Sequence, residues 1–255
     1  MTKPNVLVIS GYGINCEEET LFAFEKAGGQ GDIVHINDII EEPSILEKYQ
    51  ILAFAGGFSY GDDTGSGNAF AARIKNNLWE EIQAFIARDT LVIGICNGCQ
   101  ILTKLGLVGN GEATLTYNAN NTYQCRWVDL QVADAKSVWL DGIKRLHIPV
   151  AHGEGNFIFK DGKERGVALQ YTKPDGSLAG GEFPYNPNGS AFDTAAIVSD
   201  DGKILAIMPH PERAILFTQR DDFPSLKEQY IRAGQALPDD ADGLAIFKNG
   251  VKYFK

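Results

Sequence analysis

The sequence has few of the features that mark secreted or membrane-spanning proteins. It contains only four cysteines in 255 residues, without regular spacing, which argues against a disulfide scaffold. No apolar run approaches the roughly 20 residues of a transmembrane helix. The apolar run at residues 6–10 is also too short for a signal peptide. We therefore expect a cytoplasmic protein without a membrane-spanning segment.

Positive charge and nucleotide-binding loops are also scarce. The 23 lysines and arginines are outnumbered by 33 aspartates and glutamates, for a net charge of −10, whereas a nucleic-acid partner calls for a basic surface. The chain lacks the Gly-x-x-x-x-Gly-Lys-Ser/Thr loop that holds nucleotide phosphates. The four histidines are scattered, and Cys16 and Cys125 add no second Cys-x-x-Cys pair for a zinc site. We expect no cofactor, metal ion or nucleic acid on this chain.

The most informative feature is a cysteine between two glycines at the end of an apolar run. Residues 91–95 predict a buried strand, and Gly94, Cys96 and Gly98 form a Gly-x-Cys-x-Gly pattern ahead of a predicted helix. This pattern is typical of a nucleophile elbow, in which a sharp strand-to-helix turn presents the reactive atom. The dipole of the following helix favours a thiolate. The sequence therefore predicts that Cys96 is a nucleophile.

Two other interpretations of this cysteine are open. An unpaired cysteine is commonly a small buried core residue, and Cys96 with Cys99 formally matches a dithiol redox motif. The redox motif fits less well, because a thioredoxin-like pair does not lie between elbow glycines.

A base for this nucleophile is predicted much later in the chain. Residues 204–208 form an apolar run typical of a buried strand, and His210 and Glu212 follow it. Two residues apart in an extended segment, their side chains point the same way, and Pro211 favours an extended conformation at His210. The sequence therefore predicts that His210 is the acid and base and that Glu212 orients its imidazole.

Backbone amides after two predicted strands are candidate donors to a tetrahedral oxyanion. Asn97 directly follows the nucleophile, and Gly56 or Gly57 follows the apolar run of residues 51–55. Glycine lets the backbone approach a substrate closely and rotate its amide at low steric cost. We expect the loop of residues 56–63 to be flexible and to be ordered by a partner.

The spacing of apolar residues predicts an α/β fold. Predicted strands and helices alternate through the first hundred residues, which implies a mostly parallel sheet with helices on both faces. We expect one long helix over residues 70–86 and closely spaced antiparallel strands after residue 111. These include a strand at residues 137–140, and the tail is expected to end in an extended segment at residues 244–253. With 44% hydrophobic residues, residues 1–255 suffice for a single large domain.

Taken together, these motifs resemble those of the class I glutamine amidotransferases, in particular the separate glutaminase subunits of purine biosynthesis. The resemblance rests on residues 56–62, 94–98 with Gln100, 151–155 and 209–213, with further support from residues 15–20 and 184–190. These runs occur in the family's order over most of the chain. Two features depart from the family pattern, namely Cys99 and the loop of residues 63–67.

The resemblance implies a flavodoxin-like amidotransferase fold and hydrolysis of glutamine to glutamate and ammonia through a cysteine thioester. It implies a catalytic triad of Cys96, His210 and Glu212. It also implies that the amide nitrogens of Gly57 and Asn97 form the oxyanion hole.

The resemblance further implies that Gln100, His152 and Gly153 bind the glutamine substrate. An ATP-dependent synthetase subunit, which carries ATP and Mg²⁺, would receive the ammonia, and a small accessory subunit would complete the assembly. Two alternative functions stay open. One is a Cys-His-Glu amidase that acts on another γ-glutamyl substrate, and the other is a catalytically silent docking subunit.

Overall fold

The fold is built from short strands and helices that alternate through the first part of the chain. The structure is a computed structural model that describes residues 3–255. Within those residues the strands are β1 (Asn5–Ser10), β2 (Gln30–His35), β3 (Ile51–Phe54), β4 (Leu91–Ile95), β5 (Ala113–Thr116), β6 (Gln124–Val132), β7 (Arg145–His152), β8 (Asn156–Phe159), β9 (Val167–Thr172), β10 (Thr194–Val198) and β11 (Ile204–Ile207). The α-helices are α1 (Glu17–Lys26), α2 (Ile36–Glu41), α3 (Asn68–Asn77), α4 (Trp79–Ala87), α5 (Asn97–Lys104), α6 (Phe223–Arg232) and α7 (Leu244–Lys252).

In the described residues, nine of these strands form one mixed sheet. Its order is β2-β1-β3-β4-β11-β10-β9-β6-β7. The pairings from β2 to β11 are parallel, and those from β11 to β7 are antiparallel. Strands β5 and β8 pair separately as an antiparallel ribbon. This arrangement confirms the predicted α/β fold, with a parallel sheet and appended antiparallel strands.

The parallel half of the sheet brings three segments to one edge. Strands β3, β4 and β11 are neighbours, and every residue in them is buried. Parallel strands have their carboxyl ends at the same edge of a sheet, where reactive loops collect. Gly57, Cys96 and His210 lie in the segments that follow these three strands. The topology therefore gathers the residues predicted to react.

The helix predicted over residues 70–86 is two helices in the structure. Leu78 separates α3 from α4, with a non-helical φ of −137° and ψ of 11°. Its side chain is nevertheless buried, like those of Ile74 and Ile82. The spacing of apolar residues indicates which face is buried, but it does not detect one residue that leaves the helical conformation.

The prediction of an extended segment at residues 244–253 is wrong, because most of these residues form α7. The buried side chains of Leu244, Phe247 and Val251 recur every three to four residues, which is a helical period. Their β-branched and aromatic neighbours favour strands by propensity, and packing overrides that preference. Gly250 lies so close to the ring of Trp139 that a Cβ there would collide with it.

The strand predicted at residues 137–140 is also wrong. These residues form turns, in which Trp139 is fully buried and its indole Nε1–H donates to the carbonyl of Lys203 at 2.9 Å. The apolar side chains of this segment therefore reach the core from a loop. Strand β5 is not among the strands that the sequence predicts. Only one of its residues, Leu115, is buried, so the pattern of apolar residues does not indicate a strand there.

The α-helices of the described residues are short, at most ten residues long. No helix in residues 3–255 is both long and apolar enough to cross a membrane.

Phe247→Ala should lower the free energy of unfolding by about 3–5 kcal/mol. The Phe247 ring is fully buried and packs edge-on against Phe24, with ring centroids 4.9 Å apart, so truncation leaves a cavity. Chemical denaturation followed by circular dichroism measures the change. Lys248→Ala, at the adjacent exposed position, is the control and should change the free energy by about 0–1 kcal/mol. A similar small effect of both variants would contradict the core position of α7.

Candidate active site

Cys96 occupies a sharp turn between β4 and α5. Its φ of 51° and ψ of −103° lie outside the usual regions for a residue with a side chain, and its amide donates to the carbonyl of Ile207 at 2.8 Å. A Cβ at Gly94 would lie 2.5 Å from the carbonyl oxygen of Gly98, and a Cβ at Gly98 would overlap the carbonyl of Phe54. Both glycines are therefore required for this turn, as the nucleophile elbow predicts.

The two cysteines of the elbow lie in different environments. Cys96 is 5% exposed and lines a pocket, whereas Cys99 is fully buried one turn later in α5. Burial, and next the charge of Cys96, raise the pKa of the Cys99 thiol well above its ordinary value. Cys99 therefore stays protonated, and no disulfide forms in the described residues. These surroundings do not suit a dithiol pair.

His210 and Glu212 form a buried hydrogen-bonded pair after β11. His210 Nδ1 lies 2.5 Å from Glu212 Oε1, and the two residues are 2% and 1% exposed. The prediction of an extended segment is wrong, because His210 has a φ of −104° and a ψ of 85° and Pro211–Arg213 forms a turn of 3₁₀-helix. Glu212 still contacts the imidazole, as expected. In the described residues, His210 Nε2 has no hydrogen-bond partner, which leaves this nitrogen available for proton transfer.

The charges around His210 favour its protonated form. Burial alone would lower the pKa of His210, but the carboxylate of Glu212 and the negative charge of Cys96 outweigh it and raise the pKa well above its ordinary value. The site is therefore suited to an imidazolium and thiolate pair, which is the reactive state of a cysteine nucleophile.

Backbone hydrogen bonds from the turn after β1 hold Gly57 in one orientation. The amides of Asn15 and Cys16 donate to the Gly56 carbonyl at 3.1 and 3.2 Å, and the Phe58 amide donates to Gly13 at 2.9 Å. These bonds flank an antiparallel bridge between Ile14 and Gly57. In such a non-hydrogen-bonded pair, each residue's own N–H points away from the other strand.

The Gly57 amide therefore points away from the turn that follows β1 and toward the β4 side, where Cys96 lies. A Cβ at Gly57, which has a φ of 154°, would lie 2.6 Å from both Gly13 O and Ile14 Cα, so glycine is required. These bonds hold the first residues of the loop, and the ordering of residues 56–63 by a partner stays a prediction.

Asn97 supplies a second amide beside the nucleophile. It is the first residue of α5, where backbone N–H groups have no partner within the helix. Its fully buried side chain accepts from the Ser59 amide at 3.3 Å and donates to Gln100 Oε1 at 2.8 Å. Asn97 therefore ties the loop after β3 to the start of α5. That the amides of Gly57 and Asn97 together stabilise an oxyanion stays a prediction.

Cys96 opens into a small pocket of about 130 Å³. Its lining consists of Gly57, Phe58, Asp62, Ser66, Cys96, Gln100, Tyr117, Tyr123, Ala151, His152, Gly153 and Glu154. The pocket thus brings together the three residues expected to bind the substrate, namely Gln100, His152 and Gly153. The Gln100 side chain is already engaged, because its Nε2 donates to the Glu154 carbonyl at 2.7 Å.

Several residues near the reacting groups were not expected from the sequence. Asp62 and Glu154 line the pocket. Both lie in runs on which the family resemblance rests, residues 56–62 and 151–155, but the sequence alone assigns neither residue a role. Asn118, whose Oδ1 lies 3.1 Å from His152 Nδ1, has no sequence signal.

A second buried thiol lies beside the histidine. Cys16 is 1% exposed, and ligand atoms of Cys16, His210 and Glu212 lie within 4.8 Å of one another. Arg213 Nη2 donates to Cys16 Sγ at 3.0 Å, and its Nε lies 3.8 Å from Glu212. The positive charge of this guanidinium opposes the binding of a cation at the cluster. The arrangement suits proton transfer better than metal binding.

Comparison with known proteins adds a family to this geometry. The sequence matches the family described as the CobB/CobQ-like glutamine amidotransferase domain over residues 3–254. A phosphoribosylformylglycinamidine synthase subunit PurQ from Methanococcus maripaludis is 46% identical, over 98% of this chain and 97% of that protein. The subunit of the same name from Dehalococcoides mccartyi is 39% identical over 99% and 98%. Among solved structures, PurLQS from Thermotoga maritima aligns over all of both chains, with 27% identity and a TM-score of 0.76.

Glu212→Gln should lower the pKa of His210. The glutamine keeps a hydrogen-bond acceptor but removes the negative charge that raises this pKa, so the imidazolium loses its proton at a lower pH. NMR titration of the His210 Cε1–H measures the shift. Glu19→Gln removes a carboxylate that lies 3.8 Å from Arg213 and should leave this titration nearly unchanged. An unaltered His210 pKa in Glu212→Gln would contradict the electrostatic account.

Proposed function

The chain belongs to the glutamine amidotransferases, in the CobB/CobQ-like domain family, and we propose that it is the glutaminase subunit of a phosphoribosylformylglycinamidine synthase. In this role it hydrolyses glutamine to glutamate and ammonia and delivers the ammonia to an ATP-dependent synthetase subunit in purine biosynthesis. The name carried by relatives of up to 46% identity over nearly the whole chain supports this assignment. One amidotransferase domain would span residues 1–255, because strands from both halves of the chain share the central sheet.

The first half of the reaction forms a thioester. Cys96 Sγ attacks the γ-carbonyl carbon of glutamine, and His210 holds the thiol proton. The negative charge that develops on the carbonyl oxygen is stabilised by the amides of Gly57 and Asn97. The C–N bond then breaks, and His210 gives the proton to the leaving nitrogen, which departs as ammonia. Glu212 holds the imidazole in the required orientation throughout.

The second half of the reaction hydrolyses this thioester. His210 accepts a proton from water, and the resulting hydroxide attacks the thioester carbon through the same oxyanion hole. The C–S bond breaks, glutamate leaves and Cys96 regains its thiolate or thiol form. The observation that carries this mechanism is the convergence of Cys96, His210 and Gly57 after three neighbouring parallel strands.

The partners follow from the names of the relatives. The PurLQS structure from Thermotoga maritima contains a chain that is similar to this one over its full length. We assign ATP and Mg²⁺ to the synthetase partner and no cofactor to this chain. A small accessory subunit would complete the assembly in the cytoplasm.

The alternative functions make different predictions for the same site. A γ-glutamyl amidase would use the same triad without a synthetase, and a silent docking subunit would release no ammonia. The complete set of Cys96, His210 and Glu212, with Cys96 lining a pocket, favours a catalytic role over a silent one. Ammonia release with and without the synthetase subunit separates these functions.

Cys96→Ala should reduce ammonia release from glutamine by about 10³-fold or more, because the nucleophile is lost. Synthesis by the assembled complex with added ammonium chloride should stay within about twofold of the wild type, because that half-reaction takes place on the partner. A coupled glutamate dehydrogenase assay measures ammonia release, and product formation measures synthesis.

Cys99→Ala is the matched control for this experiment. It removes the thiol one helical turn away and should retain most glutaminase activity, because Cys99 faces the core. Rapid ammonia release by Cys96→Ala would contradict the assignment of the nucleophile. Complete loss of activity in a folded Cys99→Ala would support the dithiol alternative.

A further inference from the structure

The loop that follows β3 contains a run of residues in an unfavourable backbone conformation. Tyr60, Gly61 and Asp62 have φ angles of 54°, 67° and 56°, so all three lie in the left-handed region. Residues with a side chain adopt this region at a cost, and they stay in it only where surrounding contacts hold them there. The same loop contains Gly57, whose amide is the predicted oxyanion donor. The loop therefore needs support from another segment of the chain.

Tyr12, in the turn after β1, provides that support through its ring and its backbone. The rings of Tyr12 and Tyr60 are stacked, with centroids 4.7 Å apart and planes inclined by 16°. The Tyr12 carbonyl also accepts a hydrogen bond from the Tyr60 amide at 2.7 Å. Tyr12 therefore holds both the side chain and the main chain of the residue at which the left-handed run begins.

Two helices hold the Tyr12 ring in turn. Its hydroxyl donates to Asn37 Oδ1 of α2 at 3.0 Å, and Arg73 Nη2 of α3 donates to the same oxygen at 2.5 Å. The guanidinium carbon of Arg73 lies 5.1 Å from the centroid of the Tyr12 ring, which is a cation–π distance. The ring is 38% exposed, so these contacts lie at the surface. Removal of the ring therefore leaves the hydrophobic core intact.

The turn that carries Tyr12 continues beside the loop as far as Gly57. The next two residues of the turn, Gly13 and Ile14, face the loop through a hydrogen bond from the Phe58 amide to the Gly13 carbonyl at 2.9 Å and through the antiparallel bridge between Ile14 and Gly57. These contacts and the aromatic stack form one short ladder. Because the contacts are consecutive, a displacement at the aromatic end of the ladder moves the amide at its other end.

We propose that Tyr12 is a positioning residue for the oxyanion hole. Its ring holds Tyr60, and the ladder keeps the Gly57 amide directed at the oxygen that becomes negative in the transition state. In this role Tyr12 acts through the loop, because it is not among the residues of the described chain, 3–255, that line the pocket. The assignment rests on the proposed glutaminase function and on the predicted role of the Gly57 amide, and it adds a residue that neither includes.

The test replaces Tyr12 and follows glutamine hydrolysis by the full chain assembled with its synthetase subunit. Complete loss of one oxyanion donor costs about 10²–10³ in kcat, and a misdirected donor costs less. Tyr12→Leu, which removes the stack, should therefore lower kcat for ammonia release by about 10- to 100-fold and leave KM within about threefold, because the donor acts in the transition state.

Tyr12→Phe is the conservative variant, because it keeps the stacked ring and removes only the hydroxyl group. It should retain kcat within about threefold of the wild type. Both substitutions place an ordinary side chain at the same φ of 51°, so backbone strain does not distinguish them.

Alkylation of Cys96 separates the oxyanion hole from the rest of the site. A thiolate displaces iodide from iodoacetamide in a step that forms no oxyanion, and peptide mass spectrometry measures this reaction at Cys96 alone. In Tyr12→Leu the alkylation rate should stay within about twofold of the wild type while kcat falls. Tyr253→Leu is the matched control, because Tyr253 is 37% exposed and its ring packs against Phe254. It should change neither rate.

Three outcomes overturn the proposal. An unchanged kcat in Tyr12→Leu, or a change confined to KM, shows that the stack does not act on the donor. An equal fall in kcat and in Cys96 alkylation shows that Tyr12 supports the whole site instead. A loss in Tyr12→Phe as large as that in Tyr12→Leu assigns the effect to the hydroxyl group. A wild-type complex that releases no ammonia from glutamine would instead contradict the proposed function, so the two failures are distinguishable.

Discussion

The candidate site depends on the close contact between the first turn of α5 and strands β3 and β4. Because Gly98 has no side chain, the first turn of α5 lies directly on the Phe54 carbonyl. Gly94 also has no side chain, which leaves room for the Gly98 carbonyl of the same turn. This contact forces Cys96 into a conformation that costs about 1–3 kcal/mol for a residue with a side chain. The packing of the surrounding sheet compensates for this conformational cost. As a result, the thiol lies above the sheet edge at which β3 and β11 also end.

Charge divides the site into two parts. At Cys96, the buried Glu212 carboxylate and the thiolate favour a protonated His210. The pocket lining adds two further carboxylates, those of Asp62 and Glu154. A small amino-acid amide fits a pocket of about 130 Å³ better than a peptide does.

Local sequence patterns predict the parts of this site that follow from chain geometry. Gly94, Cys96 and Gly98 predict the elbow because few other residues tolerate that turn, and the run before His210 predicts a strand because it is apolar throughout. The resemblance to glutamine amidotransferases gave the correct family, and the comparisons confirm it. Contacts between distant segments are harder to predict from the sequence. For example, nothing in the sequence near Asn118 indicates that it fixes the tautomer of His152. The formation of a helix at α7 likewise depends on its packing against Trp139, which lies more than a hundred residues away in the sequence.

Direct detection of the covalent intermediate tests the central claim, that Cys96 carries the acyl group. The wild-type complex would be mixed with ¹³C-labelled glutamine, quenched with acid during turnover and analysed by intact and peptide mass spectrometry. The account predicts one labelled glutamyl group per chain, located on the peptide that contains Cys96 and absent from Cys96→Ala. Steady ammonia release without any labelled adduct on that peptide, or an adduct on Cys16 instead, would contradict it.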